Sequence, residues 1–379
     1  MAQNITLIAT AAMGLESIVA DEVRNLGYDV KVDNGKVIFE APISAIPRCN
    51  LWLRTADRVK ILVGEFKATS FDELFEGTKA LPWENFIQED GKFPVSGKSV
   101  KSKLYSVPDC QAIVKKAIVE RLKLKYGIVS DMPETGPTYK AEVAILKDNV
   151  QLTLDTSGAG LHKRGYRVGQ GEAPLKETLA AALLLLTNWR PEYTLVDPFC
   201  GSGTIPIEAA LIGQNIAPGF NREFSSEEWG FIKQKYWDNA FQEAEDYAKY
   251  DQPIEIIGSD IDHKMITIAS DNSKEAGLGD LITWKQMQVR DLTLRNNNGY
   301  IISNPPYGQR IGDREEVIQM YRDLGSIMKN HPSWSVYILT ALEDFEKQFG
   351  QKATKKRKLF NGFIKTDYYQ FFGKKEEEI

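Results

Sequence analysis

The sequence predicts an α/β protein: a mostly parallel, doubly wound sheet preceded by two smaller α+β units. Three observations carry this. From about residue 193 onward, short β-branched runs alternate with helical patterns, the signature of βαβ units. Before them, mixed strand and helix patterns fill two shorter blocks that contain hairpins. At the end, "RKLFNGFIKTDYYQFF" turns at Asn361-Gly362, so the last strand runs antiparallel at the sheet edge or next to it.

Each element has its local reason. "ITLIAT" reads as a strand, and "GLESIVADEVRNLG" as an amphipathic helix with Leu15, Ile18, Val19, Val23 and Leu26 on one side and Gly27 at its end. "DVKVDNGKVIFEA" is a hairpin on Asn34-Gly35. A helix at about 43–54 and the strand "RVKILVGEFKA" complete the first block. In the second, "SFDELFEGTKALPWENF" predicts a capped helix and "FPVSGKSV" a strand. "DCQAIVKKAIVERLKLKYG" is a helix, and "YKAEVAILKDNVQLTLDTS" a hairpin turning at Asp148-Asn149. "GAGLHKRGYRVGQGEAP", rich in Gly and basic residues, suits a connector. After it, Pro174 fits the first turn of a helix with a broad apolar face. Then come "YTLVDPF", a helix from about 204, "IEIIGSD", a helix from about 263, "LITWKQMQV", "GYIISNPP", a helix from about 314 and "SWSVYILTA". These divide the chain into 1–64, 65–164 and 165–379.

Bulk properties limit the function. The chain has 379 residues, 42% of them hydrophobic, which suffices for two or three cored domains. It carries no apolar run long enough to span a membrane and no basic-then-apolar leader, so a cytoplasmic location without membrane contact is expected. Cys49, Cys110 and Cys200 are widely spaced and form no CxxC pair; with His162, His263 and His331 they give no metal-ligand spacing, so no metal is expected. A net charge of −5 argues against indiscriminate coating of nucleic acid. Residues 92–126 nevertheless carry Lys92, Lys98, Lys101, Lys103, Lys115, Lys116, Arg121, Lys123 and Lys125 against Asp109 and Glu120 alone.

In a doubly wound sheet, ligands bind beyond the carboxyl ends of the strands. "VDPFCGSGTIPIEAA" brings a strand into Asp197, then Gly201 and Gly203, then a helix. The glycines permit close approach to backbone and helix N-terminus. No Lys follows, so this is no phosphate loop, and Pro206 breaks the dinucleotide pattern. An acid beside such a loop suits a cofactor bearing both ammonium and carboxylate, S-adenosylmethionine. Asp260 of "IIGSDID" is placed to accept two ribose hydroxyls, with Asp262 the cap of the next helix. Asp291 of "VRDLT" follows a strand, where it accepts from an adenine amine or caps a turn. In "SNPPYG", the Asn304 side chain and the Pro305 carbonyl are two acceptors held rigid by Pro306, matched to the two hydrogens of one exocyclic amine. Tyr307 is a stacking platform for the base.

"DPFCGSGT" followed by "SNPPYG" resembles the class I S-adenosylmethionine-dependent methyltransferases of exocyclic amines. With "LHKRGYR", "APLKETLAAALL", "DPFCGSGTIPIEAA" and "SNPPYGQRIGD", the whole chain resembles the THUMP-domain RNA methyltransferases, in particular the bacterial 23S rRNA guanine-N2 enzymes. The resemblance implies a ferredoxin-like domain at 1–64, a THUMP domain at 65–164 and a Rossmann-like class I methyltransferase domain at 165–379. It maps the cofactor loop onto Asp197, Pro198, Cys200, Gly201, Gly203 and Thr204, the ribose acid onto Asp260 with Ile261 beside it, and the adenine acid onto Asp291. The catalytic turn falls on Asn304, Pro305, Pro306 and Tyr307. The implied partner is structured RNA, 23S rRNA or its precursor first and tRNA second, gripped by the THUMP module and stretch 92–126. Arg164, Arg167 and Arg310 are further candidates for contacts near RNA or base. The implied chemistry is direct in-line transfer from sulfonium to amine.

Three rival readings stand beside it. A tRNA guanine-N2 enzyme differs only in substrate. A DNA adenine-N6 methylase shares the Asn-Pro-Pro-Tyr turn, and a non-catalytic ribosome-assembly factor shares the RNA-binding modules. Cysteine-based methylation fits poorly, because Cys200 lies inside the cofactor loop. "DGKFPVSGKS" fails as a phosphate loop, since its first Gly is one residue too early.

Overall fold

The computed structural model describes residues 4–171, 174–295, 298–308 and 313–374. They form two compact units. One comprises the chain up to Ala11, Val19–Leu161 and Glu223–Glu243; the other comprises Ala12–Ile18, His162–Arg222 and the chain from Ala244. The elements in chain order are β1 (Asn4–Ala11), α1 (Glu16–Asn25), β2 (Val30–Asp33), β3 (Lys36–Pro42), α2 (Ala45–Trp52), β4 (Ala56–Lys67), α3 (Phe71–Lys79), β5 (Val95–Val100), α4 (Val107–Tyr126), β6 (Lys140–Leu146) and β7 (Asn149–Asp155). They continue with α5 (Glu177–Leu185), β8 (Thr194–Asp197), α6 (Thr204–Gly213), α7 (Gln234–Tyr247), β9 (Ile256–Asp260), α8 (His263–Glu275), β10 (Ile282–Gln286), β11 (Gly299–Ser303), α9 (Asp313–Lys329), β12 (Ser335–Thr340), α10 (Phe345–Phe349), β13 (Lys355–Asn361) and β14 (Ile364–Phe371).

In the first unit the two predicted α+β blocks share one sheet, ordered β2-β3-β1-β4-β7-β6-β5, in which antiparallel pairing of β4 with β7 joins them. Local chemistry sets the ends of its helices. The Ser70 side chain accepts from Glu73 N at 3.2 Å, while the Glu73 carboxylate accepts from Thr69 N at 2.6 Å, two otherwise orphaned donors satisfied together. The β6-β7 turn falls on Lys147 and Asp148, both with positive φ, one residue earlier than expected. The pairing Leu146↔Asn149 fixes this register.

The insert after Arg222 belongs to this unit's core. Trp229 stacks on Tyr139 at 4.8 Å and its indole donates to the Thr138 carbonyl at 3.0 Å. Trp237 is 1% exposed, and Arg48 donates to both carboxylate oxygens of Glu243. Truncating either tryptophan to Ala costs roughly 3–5 kcal/mol.

The basic stretch is only partly available to a polyanion. Lys115 pairs with Glu134, Arg121 forks onto Glu84, Lys125 lies 3.6 Å from Glu84 and Lys98 lies 3.3 Å from Glu142. These cations already have carboxylate partners.

The second unit holds a sheet ordered β10-β9-β8-β11-β12-β14-β13. The first five are parallel, and β14 joins β12 antiparallel with β13 at the edge. The chain runs outward from β8 through β9 to β10, then crosses back to β11. β8 and β11 therefore flank the switch point where such sheets bind ligands. Pro174 lies outside α5, which begins at Glu177. No helix among the described residues is long and apolar enough to cross a membrane.

Candidate active site

At the switch point a cavity of about 870 Å³ opens in the second unit. Its floor is the loop between β8 and α6. Gly201 and Gly203 have φ of +50° and +86°, which side-chain-bearing residues rarely adopt. A Cβ on Gly203 would lie 2.7 Å from the Trp284 ring, whereas one on Gly201 would meet nothing within 4 Å. Gly203 thus permits packing and Gly201 leaves open space. Cys200 and Thr204 also line the wall, as do Pro198 and Ile261, the last 58% exposed.

Two acids mark the strand ends. Asp197 is buried; its Oδ1 accepts from the Ser303 hydroxyl and from Phe199 N at 3.1 Å. Both bonds end on one oxygen, leaving Oδ2 for a ligand. Burial pushes its pKa from an ordinary 3.8 to about 7, the Ser303 and Phe199 hydrogen bonds oppose that rise, and the nearby Asp260 charge adds to it. Asp260 Oδ2 accepts from Gly201 N and Oδ1 from Asp262 N, both at 3.0 Å, and its pKa is raised mainly by burial. A carboxylate has about four acceptor positions, so capacity for ligand hydroxyls remains. Asp262 caps α8 by accepting from Lys264 N at 2.8 Å.

The connector is stapled to this loop. Arg167 donates to the Ser202 and Thr204 hydroxyls at 3.0 Å each and to Glu177 at 2.7 Å. Asn272, fully buried on α8, donates to the carbonyls of Ser202 and Gly169 and accepts from Val168 N and Gly169 N. Arg164 is buried against Glu208, with Tyr166 donating to the same carboxylate at 3.1 Å. The expectation that Arg164 and Arg167 meet RNA is therefore corrected: both guanidiniums bind the protein's own carboxylates. Arg310 lies outside the described residues. Burial, then the Asp197 and Asp260 charges, push the Cys200 thiol well above its ordinary range, so it stays protonated and a poor nucleophile.

The turn after the neighbouring strand β11 supplies further lining. Asn304, Pro305, Pro306 and Tyr307 all line the cavity. The Tyr307 hydroxyl donates to Asn304 Oδ1 at 2.5 Å and accepts from Asn361 Nδ2 at 3.1 Å. Tyr321, fully buried on α9, donates to the Pro306 carbonyl at 2.9 Å and lies 2.9 Å from the Thr340 hydroxyl. Ser303 links the two halves by donating to Asp197 from the position next to Asn304.

Asp291 is not brought into the wall. The lining stretch is Met287–Arg290, and Asp291 is exposed at the end of a 3-10 turn, Val289–Asp291. Sequence reasoning missed Ser303, Asn272, Tyr321 and Asn361. It also missed a face of α9, where Glu316, Gln319, Met320 and Asp323 line the cavity at helical spacing. A mostly polar stripe at that spacing reads as the solvated face of a helix, so nothing local marked it as part of a site.

The arrangement suits a cationic nucleoside cofactor: a buried carboxylate with a spare oxygen, a second acid beside it, open space over Gly201 and an exposed apolar Ile261. The volume lies in the range of small-molecule sites.

Comparison with known proteins bears on this site. Residues 164–370 match the family described as "RMKL-like, methyltransferase domain"; 6–60 match the RlmL ferredoxin-like domain and 68–155 the THUMP domain. YpsC of Bacillus subtilis (strain 168), an RNA methyltransferase by name, is 64% identical over 98% of this chain and 97% of its own. The ribosomal RNA large subunit methyltransferase K/L of Syntrophotalea carbinolica is 34% identical over 97% of this chain, which spans about half of that relative (53%). A crystal structure from Listeria monocytogenes, described as a predicted N6-adenine-specific DNA methylase, superposes with a TM-score of 0.95 at 63% identity, covering 98% of this chain and 97% of that one. SMU.472, a methyltransferase by name complexed with SAH, gives 0.95 at 48% identity, covering 99% and 100%.

Proposed function

The chain belongs to the RMKL-like family of S-adenosylmethionine-dependent RNA methyltransferases, and from that membership we propose that it methylates guanine N2 in 23S rRNA. In this reading 1–64 is the ferredoxin-like domain, 65–164 the THUMP domain that grips RNA, and 165–379 the methyltransferase domain, apart from the insert 223–243 that packs in the first unit. The structural observation that supports transfer to a base amine is that Asp197, Asp260 and the Asn304–Tyr307 turn line one cavity; the choice of 23S rRNA rests on the K/L relative.

When bound, S-adenosylmethionine supplies a methyl group on a cationic sulfur that an amine nitrogen can attack. Asp197 holds the ammonium, and Asp260 accepts the ribose hydroxyls beside Ile261. Asn304 Oδ1 and the Pro305 carbonyl accept the two hydrogens of the base amine. Holding both favours a nitrogen whose lone pair leaves the ring plane and points at its target, a positioning and electrostatic effect. Tyr307 gives the base a ring to stack on, which requires the base to leave its helix or to come from a loop.

The THUMP match and the K/L relative support RNA; the Listeria protein's description favours DNA adenine as a second reading. Labelled S-adenosylmethionine offered in parallel with unmodified 23S rRNA, tRNA and DNA, followed by nucleoside mass spectrometry, separates them. We expect N2-methylguanosine in 23S rRNA. The same nucleoside in tRNA alone changes the substrate, and N6-methyladenine in DNA overturns the proposal. Cofactor binding without transfer to any of the three points to an assembly intermediate or a partner as the missing element.

A further inference from the structure

β13 and β14 are joined by a two-residue turn, Gly362-Phe363, with Gly362 at φ +61°. Such turns favour Gly, Asn, Asp and Ser. Here the second position is a phenylalanine at 106% relative exposure, the most exposed large apolar residue among those described. It makes no contribution to the core.

Its flanks place it at the rim of the cavity. Asn361 and Ile364, on either side of the turn, both line the wall, and Asn361 donates to the Tyr307 hydroxyl. The strand leading to the turn is basic: Lys355, Lys356, Arg357 and Lys358, with Lys365 just beyond it. Lys356 lies 3.8 Å from Glu346 and Arg357 donates to the Gly14 carbonyl. Lys355, Lys358 and Lys365 are exposed. Lys358 faces Asp367 across the ladder. β13 is also the edge strand, so these side chains border solvent.

We propose that this hairpin is a substrate finger: Phe363 stacks on an unpaired RNA base next to the target nucleotide, and Lys358 and Lys365 neutralise the phosphates around it. This rests on the RNA methyltransferase reading and adds a positioning residue to it. A neighbouring base held by an aromatic ring keeps the strand open while the target amine occupies Asn304. An exposed ring among lysines, two residues from the Asn361 that donates to Tyr307, has the chemistry of single-strand recognition.

The test compares Phe363→Ala and Phe363→Trp with the wild type on an unmodified 23S rRNA transcript, reading KM and kcat for RNA and the Kd for S-adenosylmethionine. We expect F363A to raise the RNA KM about tenfold, with cofactor affinity unchanged, and F363W to stay within threefold of the wild type. An F363A enzyme within twofold of the wild-type RNA KM overturns the proposal. So does a parallel loss of cofactor affinity, which marks a structural effect. If the wild type transfers no methyl to this transcript, filter binding of the same RNA applies the same criterion. Failure of the finger and failure of the functional reading are then separate results.

Discussion

The hydroxyl of Tyr307 donates to Asn304 Oδ1 at 2.5 Å, and Asn361 donates to that hydroxyl in turn. One lone pair of the oxygen proposed to hold the base amine is thus engaged by the ring proposed to stack on the base. Tyr307 fixes the amide in one orientation as well as supplying a surface. Tyr307→Phe keeps the surface and removes the anchor, so kcat should fall about tenfold with little change in the RNA KM. Tyr307→Ala removes both and should cost at least tenfold more. Equal losses in the two variants would show that the hydroxyl alone matters.

Asn304→Ala deletes one of the two acceptors without touching the RNA-binding modules or the cofactor acids. Transfer should drop by about a thousandfold, the scale of losing a preorganised electrostatic group. RNA affinity, read by filter binding, should stay within about twofold. An equal loss of binding would contradict the assigned role.

With Asp197 as the proposed partner of the cofactor's ammonium, cofactor binding should depend on pH. In the free protein its carboxyl is raised to about 7, while the ammonium partner requires it ionised. Binding below pH 7 must therefore expel a proton, and affinity should be about eightfold weaker at pH 6 than at pH 7.5. The stability effect has the opposite slope. A folded pKa above the unfolded 3.8 means that the contribution is fully present below about pH 4 and lost as pH rises through 7. Asp197→Asn should flatten both profiles and abolish tight binding, measured by calorimetry and by thermal melting of the cofactor-free protein.

Glu208 is fully buried, with Arg164 and Tyr166 both donating to it. Glu208→Ala leaves the Arg164 charge buried without that partner, and the expected loss is roughly 3–5 kcal/mol. Glu208→Gln keeps the shape and the acceptor and should lose less. Urea denaturation of the two variants, compared at equal m-value, checks the order.

The strand-end positions were legible because the chain punctuates them. Asp197 precedes Pro and two glycines, Asp260 ends an apolar run, and Asn304 is followed by two prolines; each position follows from a strand that must stop there. Asp291, read as an adenine acid or a turn cap, stands exposed at the end of a 3-10 turn, a local geometry that spacing along the chain does not encode. Asn272, Tyr321 and Asn361 reach the site from segments far along the chain, and no local spacing encodes such meetings. Arg164 looked like a surface cation in a glycine-rich connector. The clue to its burial lay in α6, where Glu208 stands alone among apolar residues and needs a counter-charge. The two N-terminal blocks were visible as patterns, whereas their shared sheet depends on the β4-β7 pairing, a long-range match.

The contribution of Glu223–Glu243 to the first unit has a consequence for biosynthesis. As the chain leaves the ribosome, residues 162–222 emerge before the segment that carries Trp229 and Trp237. The unit begun first is thus completed by a piece translated later, and N-terminal-first folding cannot run to its end there. Until residue 230 is out, Tyr139 lacks its stacking partner and Gln88 its bond to Gly230. A pause in translation between these points leaves an apolar face for chaperones to cover, and a fragment ending near residue 161 inherits that face permanently.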